Sequence, residues 1–260
     1  MRFFVISFMI VVCLSACTVP KIAVDDAGWS QKEELLVKGR NGFFLKEKLS
    51  FGEFVTTKVQ RSWTTGSGWG WGIGGNHWME RLSIEFVRRK QTVRFQLRDA
   101  NGNESQVTAF SKIKWTDLSI GNNPNSLVNI IGDVLQIGDD GTNTYAVRIA
   151  TSPKDTAWEM VIDNNAAQRN ARKYTGLLAK SKSQYYIVAP VYQLKNKQGA
   201  AVSLPFGGSV GFEFRRPGGE TVAAVSLIDK GMVYFDRLPQ DEKFLLANAA
   251  AALLLQQLLE

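Results

Sequence analysis

The sequence predicts a mainly β protein: a barrel or sandwich of about twelve strands, with a hydrophobic C-terminal helix packed in it or against it. Three observations carry this. Apolar and polar residues alternate with a period of two through much of the chain, as in Val93, Phe95 and Leu97 against Arg94, Gln96 and Arg98. Clusters of Asn, Asp, Gly and Pro punctuate the apolar runs at short intervals. The β texture then stops at Pro239, and Ala and Leu fill 245–255 apart from Asn248.

The N-terminus has a different character. Arg2 is followed by an apolar run from Phe3 to Leu14, broken only by Ser7, and then by the small residues Ser15 and Ala16. This is the three-part pattern of a secretory signal peptide, and the run is shorter than the roughly 20 residues a spanning helix needs. Leu14-Ser15-Ala16-Cys17 resembles the lipobox of bacterial lipoprotein precursors. The resemblance implies cleavage before Cys17 and a thioether-linked diacylglycerol on that cysteine, usually with a further acyl chain such as palmitate. Two or more chains suffice for stable anchoring. Residues 1–16 are then the signal peptide, 17–34 the lipidated N-terminus and tether, and 35–260 a single β-rich domain. Thr18 stands where Asp favours inner-membrane retention, which points to the outer membrane if the host has one.

Cysteine use fits export. Cys13 leaves with the signal and Cys17 is lipidated, so the remaining chain has no thiol for a disulfide, a metal site or a nucleophile. The formal charge of +7 becomes about +6 without Arg2, and the basic residues are dispersed. That excludes a nucleic-acid tail. The membrane is the expected partner, through the lipid on Cys17. Anionic lipid, a glycan or another envelope protein are further candidates.

Strands are expected at 43–45, 49–61, 91–98, 104–110, 127–137, 144–150, 157–163, 184–194, 209–216, 221–228 and 231–236, with a further period-two run through Leu82, Ile84 and Phe86. Asn101-Gly102 reads as the turn of a hairpin joining 91–98 to 104–110, because that dipeptide readily supplies positive φ. Ala166 to Leu178 allows a short helix started by Asn164-Asn165. After Pro239, Gln240-Asp241-Glu242 places acidic residues at the positive end of a helix over 241–259. Being apolar nearly all round, this helix suits burial inside the domain, with a peripheral partner-binding helix as the rival. The stretch is too short for a comfortable span.

About twelve strands ahead of a hydrophobic helix resemble the tubby-like fold. The resemblance lies in the layout of 211–222, Ile228-Asp229-Lys230-Gly231 and the terminal helix. It implies a closed barrel enclosing that helix. Members include phosphoinositide-binding and scramblase-like proteins, and no lipid-contacting residue carries over to this chain.

The segment from Trp63 to Trp78 holds four of the seven tryptophans, interleaved with six glycines. Two readings fit it: a core strand with Trp69 and Trp71 turned inward, or an exposed loop whose Trp69, Trp71, His77 and Trp78, helped by Arg81, contact a ligand or the headgroup layer. His77 is the single histidine, which removes multi-histidine metal sites, and no Gly-x-Ser-x-Gly elbow is present. No catalytic residue, metal or cofactor is assigned. Asp139-Asp140-Gly141 reads as a plain turn rather than a calcium loop. The expected function is a non-enzymatic, membrane-anchored envelope protein that binds or organises something at the membrane surface. The alternatives are a cell-wall glycan hydrolase using paired carboxylates, with Glu80, Glu85, Asp99 and Glu104 available, and a structural subunit of an envelope complex.

Overall fold

A computed structural model describes residues 21–24, 29, 32–40, 48–62, 91–113, 143–152, 155–204 and 208–256. The strands are β1 (Lys21–Ile22), β2 (Glu33–Leu36), β3 (Ser50–Phe51), β4 (Phe54–Ser62), β5 (Gln91–Arg98), β6 (Glu104–Ile113), β7 (Thr144–Ala150) and β8 (Trp158–Asp163). Helix α1 (Asn164–Arg169) follows, then β9 (Gly176–Ser181), β10 (Gln184–Val191), β11 (Gln193–Lys195), β12 (Ala201–Ser203), β13 (Gly211–Arg215), β14 (Thr221–Ser226), β15 (Met232–Phe235) and helix α2 (Gln240–Leu255).

Twelve of these strands form one antiparallel sheet in near-sequential order, β3 to β10, then β13 to β15, with β2 beside β15. The sheet comes round on itself where Lys38 and Ser50 pair, through Lys38 N–H to Ser50 O at 2.9 Å and Ser50 N–H to Lys38 O at 3.0 Å. The result is a nearly closed up-and-down barrel, joined at its seam by this one bridge among the described residues. The expected hairpin of β5 and β6 forms, with Arg98 opposite Glu104. Gly102 takes φ +82° in its turn, where Asp99 caps the backbone by accepting from Asn103 N–H at 2.8 Å. Expected strands 43–45 and 127–137, and the run at 82–86, lie outside the described residues.

Helix α2 fills the barrel. Every residue from Phe244 to Leu255 is buried, which explains why its sequence is apolar on all sides. Val93, Phe95 and Leu97 of β5, Val147 and Ile149 of β7, Phe212 and Phe214 of β13, and Val233 and Phe235 of β15 join it in one core. Each large side chain so buried contributes roughly 1.5–3 kcal/mol. A close-packed interior leaves no room for extra atoms. A Cβ on Gly231, at φ +91°, would lie 2.5 Å from Leu254 Cδ2.

The helix also brings polar groups inside, and each meets a partner. Asn248, fully buried, donates from Nδ2 to Phe244 O at 2.8 Å and accepts from the Ser105 hydroxyl. The last carbonyls would otherwise be orphans. The Tyr145 hydroxyl donates to Ala252 O at 2.6 Å, Arg40 Nε to Leu254 O at 3.2 Å and Arg61 Nη2 to Leu255 O at 2.7 Å. Burial pushes the Tyr145 phenol well above its ordinary pKa, against the pull of Arg61, so it remains a donor. At the other end Glu242 accepts from Arg216 Nη2 and from the Tyr186 hydroxyl, both at 2.9 Å, and Lys243 lies 2.7 Å from Glu33. Acids in the first turn and cations at the last suit the helix dipole.

The short sheet β1-β11-β12 lies outside the barrel. Ile22 and Val24 pack with Val191, Val210, Ala224 and Tyr234 in a satellite core, and Trp29 joins its edge. This differs from a plain tether over 17–34. The alternating Ile22 and Val24 carry enough apolar surface to settle on the barrel wall, and Glu33 and Glu34 already belong to β2. Helix α1 begins at Asn164, as expected, but ends at Arg169, and 176–178 are strand.

The buried Asn248–Ser105 pair is testable by a double-mutant cycle. Removing both partners strands no polar group. Ser105→Ala should therefore cost less by about 0.5–1.5 kcal/mol in the Asn248→Ala background than alone. Urea unfolding reads the difference, and additive costs would count against the pair.

Candidate functional site

With the lumen occupied by α2, hollows among the described residues lie on the outer wall and at the mouth of the barrel, the latter lined by Lys32, Glu33, Asp236, Arg237, Leu238 and Lys243. One of them is a groove of about 500 Å³ between the barrel and the small sheet. Its floor is Ala189, Pro190 and Val191 of β10, and β1 leads into its wall at Ala23 and Val24. Arg172, Lys195 and Arg215 line it, with Glu213 as the single acid, so the lining carries a net +2. A second hollow of about 570 Å³ shares Ala171, Arg172 and Tyr192 with the first and adds Arg169.

Local structure sets these side chains. Asp163 caps α1 by accepting from Ala166 N–H at 3.0 Å. Asn170 then turns the chain, its carbonyl accepting from Lys173 and Tyr174 N–H at 3.0 and 2.9 Å. The turn sends the Tyr174 ring back into the core, where its hydroxyl accepts from Asp163 N–H, and leaves Arg172 on the surface. The Arg172 guanidinium stacks over the Tyr192 ring, 5.5 Å from its centre. On β13, Phe212 and Phe214 face the core, so Glu213 and Arg215 face out. Glu213 is nonetheless buried. Its carboxylate pairs with Arg215 Nη2 and accepts from the Thr221 hydroxyl at 3.3 Å. The Arg215 side chain stays 40% exposed toward the groove.

The candidates named from sequence fall elsewhere. Cys17, Trp69, Trp71, His77, Trp78 and Arg81 all lie outside the described residues, as do Glu80, Glu85, Asp139 and Asp140. Of the carboxylates weighed for glycan chemistry, Glu104 pairs with Arg98 at 3.5 Å. Asp99 is spent on its turn and on Gln240 Nε2 at 3.4 Å. No group of three or more metal-ligating side chains occurs among the described residues. The groove residues 172, 192, 195 and 215 escaped sequence reading because they converge only through the fold.

The fold defines this chain as a helix-filled, twelve-stranded antiparallel barrel carrying an external basic groove. No protein-family model matches the sequence, and comparison with curated proteins and with solved structures gives no match.

The structural use of Asp99 has a pH signature. Burial alone would raise its pKa, but hydrogen bonds from Asn103, the turn backbone and Gln240 outweigh this and hold it below the ordinary range. A depressed folded pKa stabilises the protein above about pH 4, and that stabilisation is lost as pH falls through the folded value. Wild type should therefore be more stable than Asp99→Asn at neutral pH, and the gap should narrow on acidification toward about pH 2. Thermal unfolding across that range checks it; parallel curves would show that the charge of Asp99 is not used.

Proposed function

We propose that this chain is a lipid-anchored, non-enzymatic envelope protein with a binding or organising role at the membrane surface. The observation that carries the reading is the place of the groove. The barrel interior is solid, so recognition must occur outside, and the outer groove is walled by the segment that follows Cys17. Lys21 is four residues beyond Cys17, and four residues span at most about 14 Å. A lipid on Cys17 would therefore hold the groove close to a bilayer. Among the described residues no helix is long and apolar enough to cross a membrane. The attachment is assigned to the lipobox cysteine on the sequence pattern Leu14-Ser15-Ala16-Cys17.

The barrel wrapped around α2 is also the layout implied by the tubby-like resemblance. The function rests on the groove and the lipobox rather than on that likeness. The Trp63–Trp78 segment stays a second candidate contact on its composition alone.

Expression of wild type and Cys17→Ser in a diderm bacterium tests the anchoring. Wild type should sediment with membranes and show the mass of a chain beginning at acylated Cys17. Cys17→Ser should lose the acyl mass and the membrane attachment. An unmodified N-terminus at another position, or unchanged membrane partition of Cys17→Ser, would defeat the reading.

A further inference from the structure

The barrel mouth around the first turn of α2 is finished differently on its two sides. On one side Lys243 lies over the rings of Phe54 and Phe235, 5.9 and 5.7 Å from their centres, and Glu33 and Glu53 close on its ammonium at 2.7 and 3.6 Å. Both rings are fully buried. On the other side Trp158 and Tyr186 meet with ring centres 5.7 Å apart and planes tilted by 37°. Each packs against the main core yet stays partly open to solvent. Among the described residues no cation stacks on either ring.

Register explains the place of this pair. Leu178 stands opposite both Met160 and Tyr186, and Met160 and Leu178 belong to the core, so Tyr186 shares their inner face. Trp158 comes two residues before Met160, and Lys180 two after Leu178. Both therefore point the same way, one step nearer the rim.

The charges around the pair are matched. Lys180 Nζ donates to both carboxylate oxygens of Asp155 at 2.6 Å, and this hydrogen bonding holds the half-exposed Asp155 carboxyl below its ordinary pKa. Arg216 Nη2 donates to both oxygens of Glu242, and Nη1 to Glu220, all at 2.9 Å. Glu242 also accepts from the Tyr186 hydroxyl. Each cation here has its acid, so the rim holds no surplus charge for an ion. It offers flat apolar area beside fixed donors and acceptors. A neutral polyhydroxylated ring fits that combination. Its C–H face is attracted to the negative face of an aromatic ring, and its hydroxyls both donate and accept, so they use spare lone pairs of Asp155 and N–H groups of Arg216 without upsetting the charge balance. Ion pairing orients these groups in advance, which lowers the ordering cost of binding.

We propose that this rim binds a neutral glycan, with a sugar ring stacked on Trp158 and Tyr186 and its hydroxyls held by Asp155 and Arg216. The site goes beyond the anchoring described above and does not depend on it.

Isothermal titration of the full-length chain tests this, in a polyoxyethylene detergent whose head group carries no sugar. The probes are tetra-N-acetylchitotetraose and maltotetraose. At least one should bind, with an affinity that added salt leaves unchanged, because the ligand carries no charge to screen. Trp158→Leu removes the stacking face and should weaken binding about fivefold or more. Asp155→Asn should weaken it to a similar degree at nearly constant melting temperature, since an exposed ion pair contributes little to stability. Arg172→Gln, on the outer wall, should bind like wild type. Should Trp158→Leu fail to fold, Trp158→Phe replaces it, and its smaller ring should still bind more weakly than wild type. The proposal is overturned if neither tetrasaccharide binds, or if the Trp158 variant and Asp155→Asn both bind like wild type. A loss in Arg172→Gln equal to that in Asp155→Asn would overturn it as well, by moving the site to the outer wall. Anchoring reads out separately, in the membrane partition of Cys17→Ser.

Discussion

An apolar helix sealed in a barrel carries its polar backbone ends with it, and the rest of this structure answers to that constraint. The final carbonyls of α2 lie where water does not reach, and leaving them bare would cost on the order of 1–3 kcal/mol each. Tyr145, Arg40 and Arg61 meet them from β7, from the stretch after β2 and from β4. Arg40 does more than cap. Its Nη1 also donates to Leu227 O at 2.7 Å and Asp229 O at 3.0 Å, in the turn between β14 and β15. It sits two residues from Lys38, which makes the one bridge across the seam among the described residues. The weakest seam of the barrel is thus fastened to the helix inside it. Closure and filling are one event: the helix needs a wall around it, and the wall needs the helix at its seam.

A filled barrel differs functionally from a hollow one. A lumen of this strand number could hold a ligand, but here its volume is spent on Phe244 to Leu255. Recognition moves to the outer wall, where edges and faces are usually polar and featureless. The small sheet changes that. By covering Ala224 and Tyr234 it buries the outer side of β14 and β15, and by standing off β10 and β13 it leaves the groove.

The sequence made the barrel legible wherever one face of a strand meets water. β5 and β6 read cleanly because Arg94 and Arg98 alternate with Val93, Phe95 and Leu97, and Asn101-Gly102 marks the turn. β9 did not read, because Leu177, Leu178 and Ala179 are all buried and the period of two disappears. The helix was legible as a helix and as buried, from its lack of any polar face, though its caps were not. Arg40 and Arg61 lie some 200 residues from the carbonyls they satisfy. The groove was illegible for a similar reason. Its cations read as dispersed surface charge, and only the pairing of β10 with β13 and of β1 with β11 brings them to one place.

The N-terminal strand links these levels. β1 is two residues long and could not persist alone; it is held by pairing with β11, by Ile22 in the satellite core, and by the ion pair of Lys21 with Glu34 on β2. An exposed ion pair contributes little by itself, so the apolar contact is the stronger tie. Its effect is geometric. From Lys21 the chain lies on the barrel, and Ala23 and Val24 become part of the groove wall. Under the proposed anchoring, the same segment that attaches the protein to the bilayer also shapes its binding surface. Distance from the membrane is then set by four residues rather than by a long flexible leash, and the groove meets ligands presented at the headgroup layer rather than in bulk solvent.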